Sequence, residues 1–199
     1  MIVIKIEDIA VKNGKINCFK YSYYFGGIVM DNEKIATQEK AIWEEFLSGA
    51  SAEDLFRSVV TASYGDISLD SPLTKKIVND ASVDKAVALA FYWRLAPRYK
   101  KQYATIQDVP EWLEEEFQLI TILEEKFVNG FYQKEEIYYD PKSDFETDWT
   151  MDYLECDPEK TLPSVMEQAI NGDAFVDEPY DVFEDGLPFA LAERVSELY

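Results

Sequence analysis

Between Val83 and Leu95 the chain leaves almost no polar stripe when wound on a 3.6-residue turn. Val83, Ala86, Val87, Leu89, Ala90, Phe91, Trp93 and Leu95 occupy nearly every direction around the axis. A helix that is apolar almost all round must be covered on every side, so it predicts a central, buried element with other elements layered about it. The cover is available, because hydrophobic residues make up 47% of the 199 residues and aromatics 15%. No run approaches the roughly 20 apolar residues that a membrane helix needs.

Helices are predicted on both sides of this segment. Thr37 reads as the cap of a helix reaching Ser48, with Ile42, Trp43, Phe46 and Leu47 inward and Gly49 as its stop. Ser51 with Asp54 resembles a capping box ahead of Leu55, Phe56, Val59 and Val60. Ser71-Pro72 opens a short helix whose apolar side is Leu73, Ile77 and Val78. The buried helix starts at Ala81 or Ser82 and ends at Pro97. Asp108 and Pro110 begin a long helix that Asn129-Gly130 closes, with Leu113, Phe117, Ile120, Leu123 and Phe127 as its stripe. Glu111, Glu114, Glu115, Glu124 and Glu125 are assigned to its outer face.

The N-terminus reads differently. Ile2–Val11 and Lys15–Phe25 are rich in β-branched and aromatic residues, and Asn13-Gly14 between them suits a tight hairpin turn. Gly26-Gly27 breaks the second run before Ile28-Val29-Met30, a candidate third strand. Phe131–Tyr139 is a candidate strand and Leu162–Ile170 a candidate short helix. The acidic stretches 140–160 and 173–186 carry little periodicity, and Pro188 opens a last helix with Leu191, Val195 and Leu198. The expected fold is α+β in a single domain. An N-terminal antiparallel hairpin or meander over 1–31 leads into a helical core over 37–130 and an acidic, partly irregular C-terminal region over 131–199.

Charge is distributed unevenly. Residues 1–104 hold 14 Lys+Arg and 13 Asp+Glu, whereas residues 105–199 hold 5 and 26. The second half therefore carries the whole excess behind a net charge of −20. An asymmetry of this size points to an interaction surface, against the alternative of a hydration coat. It also argues against direct binding of DNA or RNA, which needs clustered cations.

The chemistry of sites is thin. With no histidine there is no Ser-His-Asp triad, Cys-His pair or His-ligated zinc. No phosphate-cradling glycine motif or G-x-S-x-G elbow occurs. Asp144, Glu146, Asp148, Asp152 and Glu155 fall at positions 1, 3, 5, 9 and 12 of an EF-hand spacing, but Trp149 stands where that loop needs glycine. Arg57, Arg94 and Arg98 either gather round an anion or pair separately with acids. Cys18 and Cys156, far apart in sequence, read as reduced thiols of a cytoplasmic protein, and Met1–Lys5 lacks the layout of an export signal. No catalytic residue, metal site or cofactor is assigned.

The residues Ala62–Pro72, Ile77–Asp80, Ala86–Trp93 and Glu124–Tyr132 together resemble a bacterial family of domains of unknown function. The resemblance departs at Tyr64-Gly65-Asp66. That family is similar in character to immunity proteins of bacterial toxin systems, which are small cytoplasmic binders of one cognate effector. The resemblance implies no catalytic residues.

These readings converge on a non-enzymatic acidic protein that docks a basic protein effector, such as a nuclease toxin, by charge complementarity. The expected partner-binding residues are Asp144, Glu146, Asp148, Asp152 and Glu155 on the first acidic stretch. On the second they are Asp177, Glu178, Tyr180, Asp181, Phe183, Glu184 and Asp185, where Tyr and Phe would serve as buried anchors. The alternatives are a nucleic-acid mimic acting on a DNA-binding protein and a carboxylate-based metal protein or hydrolase.

Overall fold

The computed structural model describes residues 33–64, 68–156 and 162–199 in full, and of residues 1–32 the backbone of strand segments and the start of a helix. The readings placed on Asn13-Gly14, Cys18, Gly26-Gly27 and Gly65-Asp66 lie outside the described residues. The protein is mixed α+β. At the N-terminus β1 (Val3–Ile6) pairs antiparallel with β4 (Tyr21–Phe25), and β2 (Val11–Lys12) with β3 (Lys15–Ile16). Val3 opposite Tyr24 and Val11 opposite Ile16 belong to one antiparallel register. A short β5 (Ile28–Val29) adds to the free edge of β4.

The helical part is α1 (Asn32–Gly49), α2 (Ala52–Thr61), α3 (Pro72–Asn79), α4 (Lys85–Arg94), α5 (Pro97–Lys100) and α6 (Glu114–Val128). Several starts follow the local chemistry of the sequence. Ser51 accepts the Asp54 N–H while Asp54 accepts the Ser51 N–H, a reciprocal box, and Ser71 accepts the Thr74 N–H with Pro72 in the first turn. Asn129 caps α6 and Gly130 turns left-handed at φ 68°.

Other boundaries differ from the sequence reading, each for a local reason. Helix α1 begins at Asn32, so Thr37 lies inside it and its hydroxyl donates back to the Glu33 carbonyl at 2.7 Å. Helix α4 begins at Lys85 and not at Ala81 or Ser82, because Asp84 is the cap. One Asp84 oxygen accepts the Ala86 N–H at 2.8 Å and the other the Glu136 N–H at 2.6 Å. Pro97 starts α5 after a left-handed Ala96, whose φ is 51°. The segment predicted to open the long helix forms two 3₁₀ turns, Ile106–Asp108 and Glu111–Leu113, before α6 begins.

Helix α4 is the centre of the molecule. Every residue from Ala86 to Trp93 is buried, and α2, α3, α6 and the strand pair β6 (Tyr138–Tyr139) with β7 (Ile170–Asn171) pack around it. At about 1.5–3 kcal/mol for each large apolar side chain removed from water, this helix anchors the fold. The Trp93 indole N–H donates to the Met166 carbonyl at 2.7 Å, which ties the C-terminal region onto the same core.

The C-terminal third is more ordered than its composition suggested. Phe131–Tyr139 contributes only β6, and Leu162–Ile170 forms a 3₁₀ turn at Ser164–Glu167 followed by β7. Gly172, expected to stop a helix, is buried against the Glu136 and Ile137 backbone so closely that a Cβ would collide with main-chain atoms. The end of the acidic stretch 173–186 and the two residues after it form a β-hairpin of β8 (Phe183–Glu184) and β9 (Leu187–Pro188). Its two-residue turn is Asp185-Gly186, with φ 49° and 83°. Helix α7 (Phe189–Ser196) follows and lies against α1. Among the described residues no helix is long and apolar enough to cross a membrane.

Candidate functional site

Asp144 was expected on the binding surface and instead points into the protein. Its carboxylate meets the Arg94 guanidinium at 2.6 Å, with side-chain exposures of 3% and 6%. The Trp149 indole N–H donates to it at 2.6 Å, the Tyr139 hydroxyl lies 3.5 Å away, and Arg94 stacks over the Trp149 ring. Arg94 is the one polar interruption at the end of α4, and a buried guanidinium needs an anion. The loop closes around that anion, with Asp144 and Thr147 exchanging backbone hydrogen bonds. Burial raises the hydroxyl pKa of Tyr139 well above its ordinary value, and the Asp144 charge raises it further; burial likewise raises that of Tyr64. Asp144, Arg94, Trp149 and Tyr139 therefore form a closed polar knot. Asp144 cannot head a calcium loop while it neutralises Arg94. Among the described residues no group of three or more His, Cys, Asp or Glu side chains comes together to hold a metal.

A second correction concerns Glu124, assigned to the outer face of α6. It is 8% exposed, accepts the Tyr92 hydroxyl at 3.0 Å and pairs with Lys101 at 2.8 Å. Burial, followed by the Glu124 charge, raises the Tyr92 hydroxyl pKa well above its usual value. The three candidate arginines do not gather round an anion. Arg57 pairs with Glu53 and Asp54, Arg94 with Asp144, and Arg98 donates to the Thr150 carbonyl at 3.1 Å.

The remaining acids of the first stretch sit on a loop built over Arg98. Asp148 is half-buried and caps the 3₁₀ turn Trp149–Met151 through Thr150, whereas Glu146, Asp152 and Glu155 are exposed. Met151, Tyr153 and Leu154 are exposed among them, and Phe145, Glu146 and Tyr153 all adopt positive φ. On the second stretch Asp177, Glu178, Tyr180, Asp181, Glu184 and Asp185 are exposed, Tyr180 by 59%. Phe175, an aromatic of the same stretch that was not among the expected anchors, is 75% exposed beside the Tyr138 ring. Phe183 is not available as an anchor. It is 6% exposed and packs edge-on against Phe46 in a small core with Ile42 and Leu187. Strand alternation in the hairpin turns Phe183 inward and Glu184 outward. The Asp-Gly pair between Glu184 and Leu187 was the signal that could have revealed this.

Among the described acids of residues 140–199, Asp144 is the one held in an ion pair. In the preceding segment Glu116, Glu124, Glu135 and Glu136 face a lysine within 4 Å, whereas Asp108, Glu111, Glu114, Glu115 and Glu125 stand in no ion pair among the described residues.

The chain is thus a mixed α+β protein organised round one buried helix, with two acidic, aromatic-bearing surface stretches attached to it. A family model described as a domain of unknown function (DUF4274) matches residues 71–128, from the Ser71 cap through α4 to the last residue of α6. The matched segment is the helical centre and contains neither acidic stretch. No curated protein and no solved structure matches the chain.

Proposed function

We propose that this is a non-enzymatic, cytoplasmic binding protein of the immunity or inhibitor type, which neutralises a basic protein effector by docking its acidic C-terminal surface. The observation that carries the reading is the lack of internal pairing. Apart from Asp144, the described acids beyond residue 140 have no cation within ion-pair distance, and they alternate with the exposed side chains of Met151, Tyr153, Leu154, Phe175 and Tyr180. Aromatic and Met side chains exposed beside unpaired carboxylates match the make-up of a partner-binding surface, where such residues are enriched. A field of one sign accelerates encounter with a cationic partner, and aromatic contact then slows release. The positive φ values at Phe145, Glu146 and Tyr153 fit loops held in a preset shape for contact.

The test is affinity capture from the native cell with wild type and with Asp177→Asn/Glu178→Gln/Asp181→Asn. The expected result is a basic partner whose affinity falls with ionic strength and falls again in the triple variant. Partners of neutral or acidic character, or affinity indifferent to both salt and the substitutions, would overturn the proposal.

A further inference from the structure

Helix α7 leaves a groove of about 990 Å³ between itself, α1, the α2–α3 connection and the β8–β9 hairpin. Its apolar lining includes Trp43, Leu73, Leu187, Phe189 and Val195. Phe189 and Tyr199, both on its wall, are 45% and 75% exposed. Among the described residues the charged side chains lining it are Glu39, Glu184, Asp185 and Glu193, with no Lys or Arg. Glu39 accepts the Tyr199 hydroxyl at 2.9 Å, while Glu184, Asp185 and Glu193 stand in no ion pair. A smaller cleft nearby differs on this point, since Lys40, Lys75 and Lys76 line it together with acids.

An apolar floor with a rim of one sign fits one kind of occupant. Resting on the binding reading above, we propose that this groove takes an amphipathic helix of the basic partner. The helix lays its apolar face on Trp43, Phe189 and Val195 while its Lys and Arg side chains meet Glu184, Asp185 and Glu193. Two of the walls, α1 and α7, are helices, and the volume lies at the upper end of the roughly 300–1,000 Å³ range of binding clefts. Helix α7 can adjust to a guest, because none of its residues is fully buried and its polar ties to α1 are two exposed contacts, Arg194 with Glu45 and Tyr199 with Glu39. The docking centre is then this groove, and the loops around Glu146–Glu155 and Asp177–Asp181 lie outside it.

The experiment is fluorescence anisotropy on the full chain with a labelled synthetic peptide of about 14 residues, four helical turns, carrying Lys and Arg on one face and Leu and Trp on the other. A scrambled peptide of the same composition, with no apolar face, is the control. Binding of the amphipathic peptide should saturate and exceed that of the control. It should weaken about tenfold in Glu184→Lys/Glu193→Lys and again in Phe189→Asp, and stay unchanged in Asp177→Asn/Glu178→Gln/Asp181→Asn. The double charge reversal affects two exposed positions and still decides the matter if Phe189→Asp fails to fold. Equal binding of the scrambled peptide, or indifference to the groove substitutions, overturns the assignment. So does self-association that Phe189→Asp abolishes in sedimentation, since the occupant would then be a second copy. If the Asp177–Asp181 substitutions release the captured partner while the peptide ignores the groove, the binding reading stands and the groove assignment falls.

Discussion

Removing the Asp144 carboxylate tests whether the first acidic stretch is a binding surface or a clasp. Asp144→Ala leaves the Arg94 guanidinium, 6% exposed, without its anion at 2.6 Å and leaves the Trp149 N–H without its acceptor. Breaking a buried pair from one side costs about 3–5 kcal/mol, because the surviving charge stays desolvated. Against a typical total of about 5–15 kcal/mol, that is a large fraction of the stability. At about 2 kcal/mol per molar urea, the midpoint should fall by about 2 M. The companion variant Arg94→Met/Asp144→Leu replaces both charges with apolar groups and should recover most of the loss, since a matched apolar pair needs no desolvation. Urea unfolding of the three proteins, followed by circular dichroism at constant pH and salt, supplies the comparison. A loss of less than about 1 kcal/mol in Asp144→Ala would refute the reasoning. It would mean that water reaches the carboxylate, which would return Asp144 to the exposed set.

Other outcomes follow from the same geometry. Lys101→Met strands Glu124 beneath α5 and should destabilise by about 3 kcal/mol, with Lys101→Met/Glu124→Leu closer to wild type; equal losses in the single and double variants would argue against a buried pair. Gly172→Ala should disrupt folding more than Gly186→Ala, as judged by thermal midpoints. The first Cβ meets the Glu136 and Ile137 main chain at 2.4 Å, whereas the second meets a side chain, the Trp43 ring at 2.8 Å, and bears the strain of φ 83°. The reverse order would contradict this packing. The Arg194 hydrogen bond and charge hold the Glu45 carboxyl below its ordinary value. A lowered value means that the α7 clamp is present above the usual carboxylate range and is lost as pH falls through the folded-state value. Amide resonances of α7 should therefore broaden on acidification in wild type and, in Glu45→Gln, keep only the part of that response that Glu193 and Glu197 cause; identical titrations would dismiss the clamp.

Much of the helical core was readable from neighbouring residues. The Ser51–Asp54 box, the Ser71-Pro72 start, the Asn129-Gly130 stop and the all-round apolar surface of α4 each depend on contacts within a few positions, which any chain carrying those residues would make. The hairpin register at the N-terminus follows for the same reason, and so would the Asp185-Gly186 turn had its two positive-φ positions been weighed against the surrounding acidity. Tertiary structure alone decided which charges are spent. Asp144 looks like every other acid near it, yet it is taken out of water by Arg94, 50 positions earlier. Glu124 is drawn inward by Lys101 and Tyr92, and Phe183 is turned away from solvent by the alternation of a strand that packs on Phe46. Local hydrogen bonding and periodicity are properties of a segment. Desolvation and ion pairing belong to whichever distant surfaces the folded chain brings together, so the division of this acidic region into clasp, core and groove exists only in three dimensions.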